Sequence, residues 1–391
     1  MASVQTNAGV AAGLPQPQTT VEPSGGPFIR NSQPGRRQMY NTSGLQFATA
    51  GGTITQPLST VPGYYSKFRM KFQVSGGTGT VAAGHADAPY NIISLVQLKD
   101  GFGTPLIVAP GYEAFFLIPL YGSQFGLEGT RFIPNLPSYS AMSTAGNFTF
   151  ASVLPLEFTK AFGVLAGANA SILPTITMNV ATSSTVYSTA PSGGTLALAV
   201  SNEADFYWLP GDAAQIEPPG IGTTLQWVYQ QCYPTIGSTS TTTVQLPRMG
   251  GYIAALILEL RDSTGARVDA WPVSGTGRLR VIVDGVPLLD TDMATLYDDM
   301  AIQLGVGDGS YASGTVTRPV GTICITRKNS LSQKDLGLFD TMETYLSTNP
   351  GTLIEISGNP WGTVSNAPAT LSVLAAQIVP AGVLPQGLPE V

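Results

Sequence analysis

The chain has 391 residues, more than one hydrophobic core usually serves, so two domains are expected. Charged residues make up only 11% and hydrophobic residues 43%, where an ordinary soluble domain carries roughly 25% charge; so little charge to keep a surface hydrated implies that much of it is covered by partners. The net charge of −6 and pI near 4.8 disfavour bulk nucleic-acid binding, and two cysteines make neither a disulfide framework nor a zinc site.

In chain order, residues 1–38 are rich in Gln, Thr, Pro and Gly and nearly free of large apolar groups, so they read as an arm that orders only against neighbours. Arg30, Arg36 and Arg37 at its base are either solvated or face a membrane headgroup or an adjacent subunit. The start of the chain lacks a basic region followed by an apolar one, and no apolar run reaches the ~18 residues of a spanning helix. The expectation is a soluble product made and kept in the cytosol, unless it leaves by another route such as release inside a particle.

From Tyr64 to Val74 the residues alternate: Tyr64, Phe68, Met70, Phe72 and Val74 on one face, Tyr65, Lys67, Arg69, Lys71 and Gln73 on the other. This predicts a strand with one dry face. The Lys67, Arg69, Lys71 row is then a wet face, or a basic stripe set against an acidic neighbour. The same alternation recurs at Phe148–Leu154, Ile176–Val180, Leu196–Val200, Leu279–Val283, Ile323–Ile325, Leu353–Ile356 and Leu371–Val379. Gly, Pro, Asn and Ser clusters separate these runs, as in sandwiches and jelly rolls. Asp292–Leu304 instead places Met293, Leu296, Tyr297, Met300, Ala301 and Leu304 at helical spacing, with Thr291 or Asp292 to cap it and Gly305 to end it. A weaker helix is predicted over Gln333–Leu346.

The halves echo one another. Leu45-Gln46-Phe47, Pro62-Gly63-Tyr64, Asp100-Gly101 and Pro105-Leu106 in the first are matched in order by Leu225-Gln226-Trp227, Gly250-Gly251-Tyr252, Asp284-Gly285 and Pro287-Leu288 in the second. The Pro/Gly segment Glu217-Pro218-Pro219-Gly220 lies between them. The organisation read from this is an arm over 1–38, a first β domain over 39–216, a linker over 217–222, a second β domain over 223–380 and a tail over 381–391.

No chemistry-bearing constellation emerges. His85 stands alone in a Gly/Ala/Asp loop without a nucleophile motif. Cys232 and Cys324 read as partly buried free thiols. Gly76–Ala82 and Gly307–Ala312 mimic a dinucleotide loop but lie in no βαβ unit, and so read as turns. Asp290, Asp292, Asp298 and Asp299 read as helix capping rather than a calcium site. The triplets starting at Asn41, Asn147 and Asn169 read as chance glycosylation matches. No catalytic, cofactor-binding or metal residue is assigned.

Two tandem β domains, a polar arm and a helix in a connection resemble the double jelly-roll major capsid proteins of tailless icosahedral double-stranded DNA viruses, the membrane-containing tectivirus-type bacteriophages in particular. Ile92–Leu98, Asp100-Gly101 and Tyr112–Leu120 look like consecutive strands of the first roll in that family. Val153–Phe158 resembles the strand leading to a subunit-contact loop, and Pro287–Asp290 the approach to a helical connection. The resemblance implies an all-β fold of two tandem jelly-roll sandwiches with short helices between strands. It also implies a structural, non-enzymatic protein forming pseudo-hexagonal homotrimers in a virion. Its partners would be neighbouring trimers, penton or minor capsid proteins and, through the arm, an internal viral membrane, with no specific nucleic-acid site. The alternatives are a phage spike or fibre that binds a receptor or glycan, motivated by Tyr64, Tyr65, Tyr139 and Trp361 as surface aromatics, and a β-sandwich hydrolase built on two close carboxylates.

Overall fold

A computed structural model describes residues 33–46, 51–122, 139–156, 165–208, 223–236, 242–273, 277–307, 316–326 and 346–380. Arg30, the 217–222 linker, nearly all of the predicted 333–346 helix, most of the 307–312 turn and the 381–391 tail lie outside the described residues. The side chain of Cys232 is likewise outside them.

The first half forms β1 (Gln33–Gln46), β2 (Thr53–Pro57), β3 (Gly63–Thr78), β4 (Ile93–Lys99), β5 (Pro105–Ala109), β6 (Phe148–Pro155), β7 (Thr175–Val180) and β8 (Gly193–Trp208). They assemble in the orders β1-β8-β3-β6 and β5-β4-β7-β2. The second half forms β9 (Thr223–Ile236), β10 (Thr242–Gln245), β11 (Gly251–Arg261), β12 (Arg278–Val283), β13 (Val286–Thr291), β14 (Thr322–Thr326), β15 (Ile354–Asn359) and β16 (Ala369–Pro380). Their orders are β9-β16-β11-β14 and β13-β12-β15-β10. Each strand of the second half holds the place of the strand eight before it. Both halves are jelly rolls, and the fold is all-β with short helices in the connections.

Among the described residues one strand ladder joins the rolls. β5 at the edge of the first roll pairs in parallel with β9 at the edge of the second, Ile107 opposite Trp227 and Val108 opposite Val228. A sheet of the first roll thus continues into a sheet of the second. The internal echo is structural in three of its four strings. Gly63-Tyr64 and Gly251-Tyr252 open the equivalent strands β3 and β11, and the two Asp-Gly pairs turn the β4–β5 and β12–β13 hairpins. Asp284 (φ 48°) and Gly285 (φ 81°) are both left-handed, the backbone of a two-residue hairpin turn. Asp100 holds the longer turn by accepting from the N–H groups of Phe102 at 2.9 Å and Thr104 at 2.7 Å. The fourth string fails: Leu45-Gln46 ends β1, whereas Leu225-Gln226 lies near the start of β9.

The predicted alternation is met at Phe148, Phe150 and Leu154, at Ile176, Met178 and Val180, and at Leu196, Leu198 and Val200, all buried. It breaks at the start of β3. Tyr65, not Tyr64, is fully buried there. The cause is a bulge: Lys67 pairs Asp205 and Tyr65 pairs Phe206, so Ser66 is an extra residue and the in–out order reverses across it. Ser66 uses its hydroxyl to donate to the Asp205 carbonyl at 3.2 Å.

Tyr112–Leu120 is not a strand. The strand after the Asp100 turn is β5, and the chain then forms a helix, α1, through Glu113–Leu117, with wide π turns, and Ile118–Gly122. Nearly every residue of α1 is buried, so the segment shows no period, and an unbroken apolar run cannot tell a buried strand from a buried helix. The predicted second-roll helix, α2 (Met293–Leu304), occupies the matching connection. The Asp292 carboxylate accepts from the N–H groups of Ala294 at 2.9 Å and Thr295 at 3.2 Å, and Gly305 at φ 62° ends it. Met293, Leu296, Met300 and Leu304 are buried, as their spacing requires.

Candidate functional site

Among the described residues charge gathers in clusters. The one with the most members sits where the rolls meet. β11 alternates Glu259, Leu260 and Arg261 and carries its two charged side chains toward α1 and the 85–89 loop of the first roll. Arg261 reaches Asp87 at 2.6 Å, Glu259 at 2.9 Å and Glu113 at 3.5 Å. Arg267, from the loop after β11, pairs with Asp87 at 3.0 Å, donates to the Ala86 carbonyl at 2.9 Å, and lies over the Tyr112 ring 4.2 Å from its centre. It also donates to the Tyr112 hydroxyl.

Two carboxylates cannot share such a site while both are charged. Glu113 and Glu259 are each 2% exposed. Burial, and then the charge of Glu259, push the Glu113 carboxyl well above the usual carboxylate range. Burial raises Glu259 as well, while the Arg261 charge holds it down. Both carboxyls are therefore held toward the protonated form, Glu113 well above the usual range. Burial alone would lower the Arg261 guanidinium, but Glu259, Asp87 and Glu113 outweigh it and raise it. Because the folded value of Glu113 is raised, its contribution to stability is complete below the ordinary carboxylate range and is lost as pH rises through the folded value. Stability of the junction is thus expected to fall from acidic toward alkaline pH, and Glu113→Gln, which keeps the donor without the charge, to flatten that fall. Unfolding midpoints of both proteins across this range check it; parallel pH profiles contradict a raised Glu113.

The second cluster lies on the outer face of the first roll. Asp205 on β8 meets Arg36 on β1 at 2.7 Å and Arg69 on β3 at 2.9 Å, with Lys67 at 3.8 Å. Lys67 and Arg69 of the basic row on β3 are therefore set against an acidic residue of the neighbouring strand. Arg36 and Arg37, read from sequence as arm, stand inside β1, where Arg37 donates to the Thr60 carbonyl at 2.6 Å.

The remaining candidates do not converge. His85 is exposed, with its backbone N–H on the Val186 carbonyl. Cys324 is buried, which pushes its thiol up. Asp290 is not a cap but a strand residue, 2.5 Å from Arg278 and 3.1 Å from Arg280. The Asn147 side chain is held by both backbone groups of Gly77. Tyr65 and Trp361, read as surface aromatics, are buried, Trp361 against Trp271 with ring centres 6.0 Å apart. Among the described residues no group of three or more His, Cys, Asp or Glu side chains is placed to hold a metal. No helix there is long and apolar enough to cross a membrane. The Glu113–Glu259 pair escaped the sequence reading because its members lie 146 positions apart, and only the strand-to-helix contact of two domains brings them together.

No family model and no curated protein matches this sequence. Solved structures do match. The major capsid protein of Sulfolobus turreted icosahedral virus is 14% identical, with a TM-score of 0.55 over 88% of this chain and 96% of that one. PBCV-1 Vp54, fitted into a reconstruction of the virophage Sputnik, is 11% identical, with a TM-score of 0.56 over 92% of this chain and 97% of that one. A chain of the PBCV-1 virus capsid is 12% identical, with a TM-score of 0.55 and the same coverage. Strand order, duplication and these likenesses agree: the chain has the fold of the double jelly-roll major capsid proteins of icosahedral viruses.

Proposed function

We propose that this chain is a structural major capsid protein that forms homotrimers of six-sided outline and tiles an icosahedral shell. The observation that carries the reading is the side-by-side joining of two equivalent rolls through one continuous sheet, β5 on β9. Three such chains supply six equivalent rolls, which fits a hexagonal lattice position with a single gene product. The 11% charge content supports it, since a surface covered by neighbours needs little charge for solubility. Neighbouring trimers and penton or minor capsid proteins are its partners in the virion, and no catalytic step is assigned to it. The division into an arm, rolls over 39–216 and 223–380, a linker and a tail is kept, with β1 extending the first roll back to Gln33.

The test is the mass of the purified protein in solution at neutral pH. Three times the 40.8 kDa chain mass is expected. A stable monomer at micromolar concentration overturns the reading.

A further inference from the structure

We infer that the free edge of β13 receives strand β1 of a second copy of this chain, in parallel and in the register that β9 takes on β5 within one chain. The inference rests on the self-assembly reading above and adds to it the surfaces, the register and the residues that meet.

The two rolls can be aligned residue by residue from their irregularities. In the β4–β5 hairpin, Leu98 pairs Ile107 and Lys99 pairs Pro105, which leaves Leu106 as a bulge. In the β12–β13 hairpin, Val281 pairs Leu289 and Ile282 pairs Pro287, which leaves Leu288 as a bulge. Pro105, Leu106, Ile107 and Val108 therefore correspond to Pro287, Leu288, Leu289 and Asp290. On the other sheet, the bulge at Ser66 has its counterpart at Ala254, since Ile253 pairs Gln377 and Ala255 pairs Ala376. Asp205 then corresponds to Ala376. Because Arg36 pairs Asp205 and Trp227 pairs Ala376, Arg36 and Arg37 correspond to Trp227 and Val228.

Within the chain, Trp227 and Val228 lie opposite Ile107 and Val108. The equivalent step between copies sets Arg36 opposite Leu289 and Arg37 opposite Asp290. Among the described residues neither edge has a further strand partner, since β1 and β13 are terminal strands of their sheets. An exposed strand edge is a template for pairing unless it is blocked. The edge of β13 is not blocked: Val286 is 58% and Leu288 41% exposed, whereas Leu106, which holds the place of Leu288 on the covered strand β5, is 3% exposed. One position is thus buried where a neighbouring roll stands and bare where none does. The charges also suit. Arg37 is an exposed cation, and Asp290 would gain it beside Arg278 and Arg280, the three-cation arrangement that Asp205 already makes with Arg36, Lys67 and Arg69. Repetition of one head-to-tail contact closes a ring of copies.

The test is a cysteine pair, Arg37→Cys with Asp290→Cys in one full-length chain, oxidised mildly and run without reductant. Intermolecular disulfides forming a ladder that ends at the solution oligomer are expected. Neither single variant should give them, nor should Arg37→Cys with Ile302→Cys, because Ile302 is 81% exposed but belongs to α2 and not to the proposed strand pairing. Separately, Leu288→Lys should weaken self-association about tenfold or more while leaving the monomer folded. A wild-type oligomer that resists both the disulfide and Leu288→Lys overturns this inference and leaves the capsid reading standing. A wild-type monomer overturns both.

Discussion

Arg261→Ala is expected to lower the unfolding free energy by about 3–5 kcal/mol at neutral pH, the cost of removing one member of a buried ion cluster. The Arg261 side chain is 14% exposed and the two carboxyl groups on its inner side are nearly inaccessible, so water does little to replace it. Its loss leaves Glu259 buried without the guanidinium that stands 2.9 Å away and leaves Asp87 to Arg267 alone. Urea unfolding followed by tryptophan fluorescence checks the magnitude. The cause is checked by a second variant: in a Glu259→Gln background the loss should shrink, because the buried charge that Arg261 faces at 2.9 Å has already been removed. If the two substitutions add without coupling, the cluster does not act as a unit. Two domains that meet through a cluster of this kind are also expected to unfold together, since opening the junction strands the charges.

Phe72→Ala is expected to cost about 3–5 kcal/mol, the transfer and cavity terms for a fully buried aromatic. Phe72 is 0% exposed on β3 and stacks on Phe150 of β6 with ring centres 4.7 Å apart at 20°, while its other side meets Phe115 of α1 at 4.8 Å. The ring therefore ties the sheet to the helix that carries Glu113 into the junction. Phe72→Leu should cost less than half as much, since most of the volume remains. The contrast between the two variants in the same urea experiment distinguishes loss of volume from loss of strand propensity. Equal losses would show that β3 itself, not the aromatic contact, is what fails.

The strands and α2 were legible because burial imposes a period. A sheet with one dry face must alternate, and a helix with one dry face must repeat at three and four, so Phe148 to Leu154 and Met293 to Leu304 declare themselves. Legibility ended where an element is buried all round or where the period is interrupted. The α1 helix shows no polar face, and a single inserted residue at Ser66 moved Tyr65 inward. Trp361 could not be told from a surface aromatic, because one residue beside a turn carries no periodicity.

The sequence by itself determined the fold class: low charge, abundant turns, alternating strands and a repeated order of turn motifs leave a duplicated β architecture. Only the tertiary structure decided where the two rolls touch, which edges stay open and which charges are buried. Alternation is a local consequence of one strand facing one core, whereas Glu113 with Glu259, Arg36 with Asp205, and β5 with β9 are meetings between segments 146, 169 and more than a hundred residues apart. Such meetings are set by the closing of sheets and the docking of domains, which no local spacing encodes.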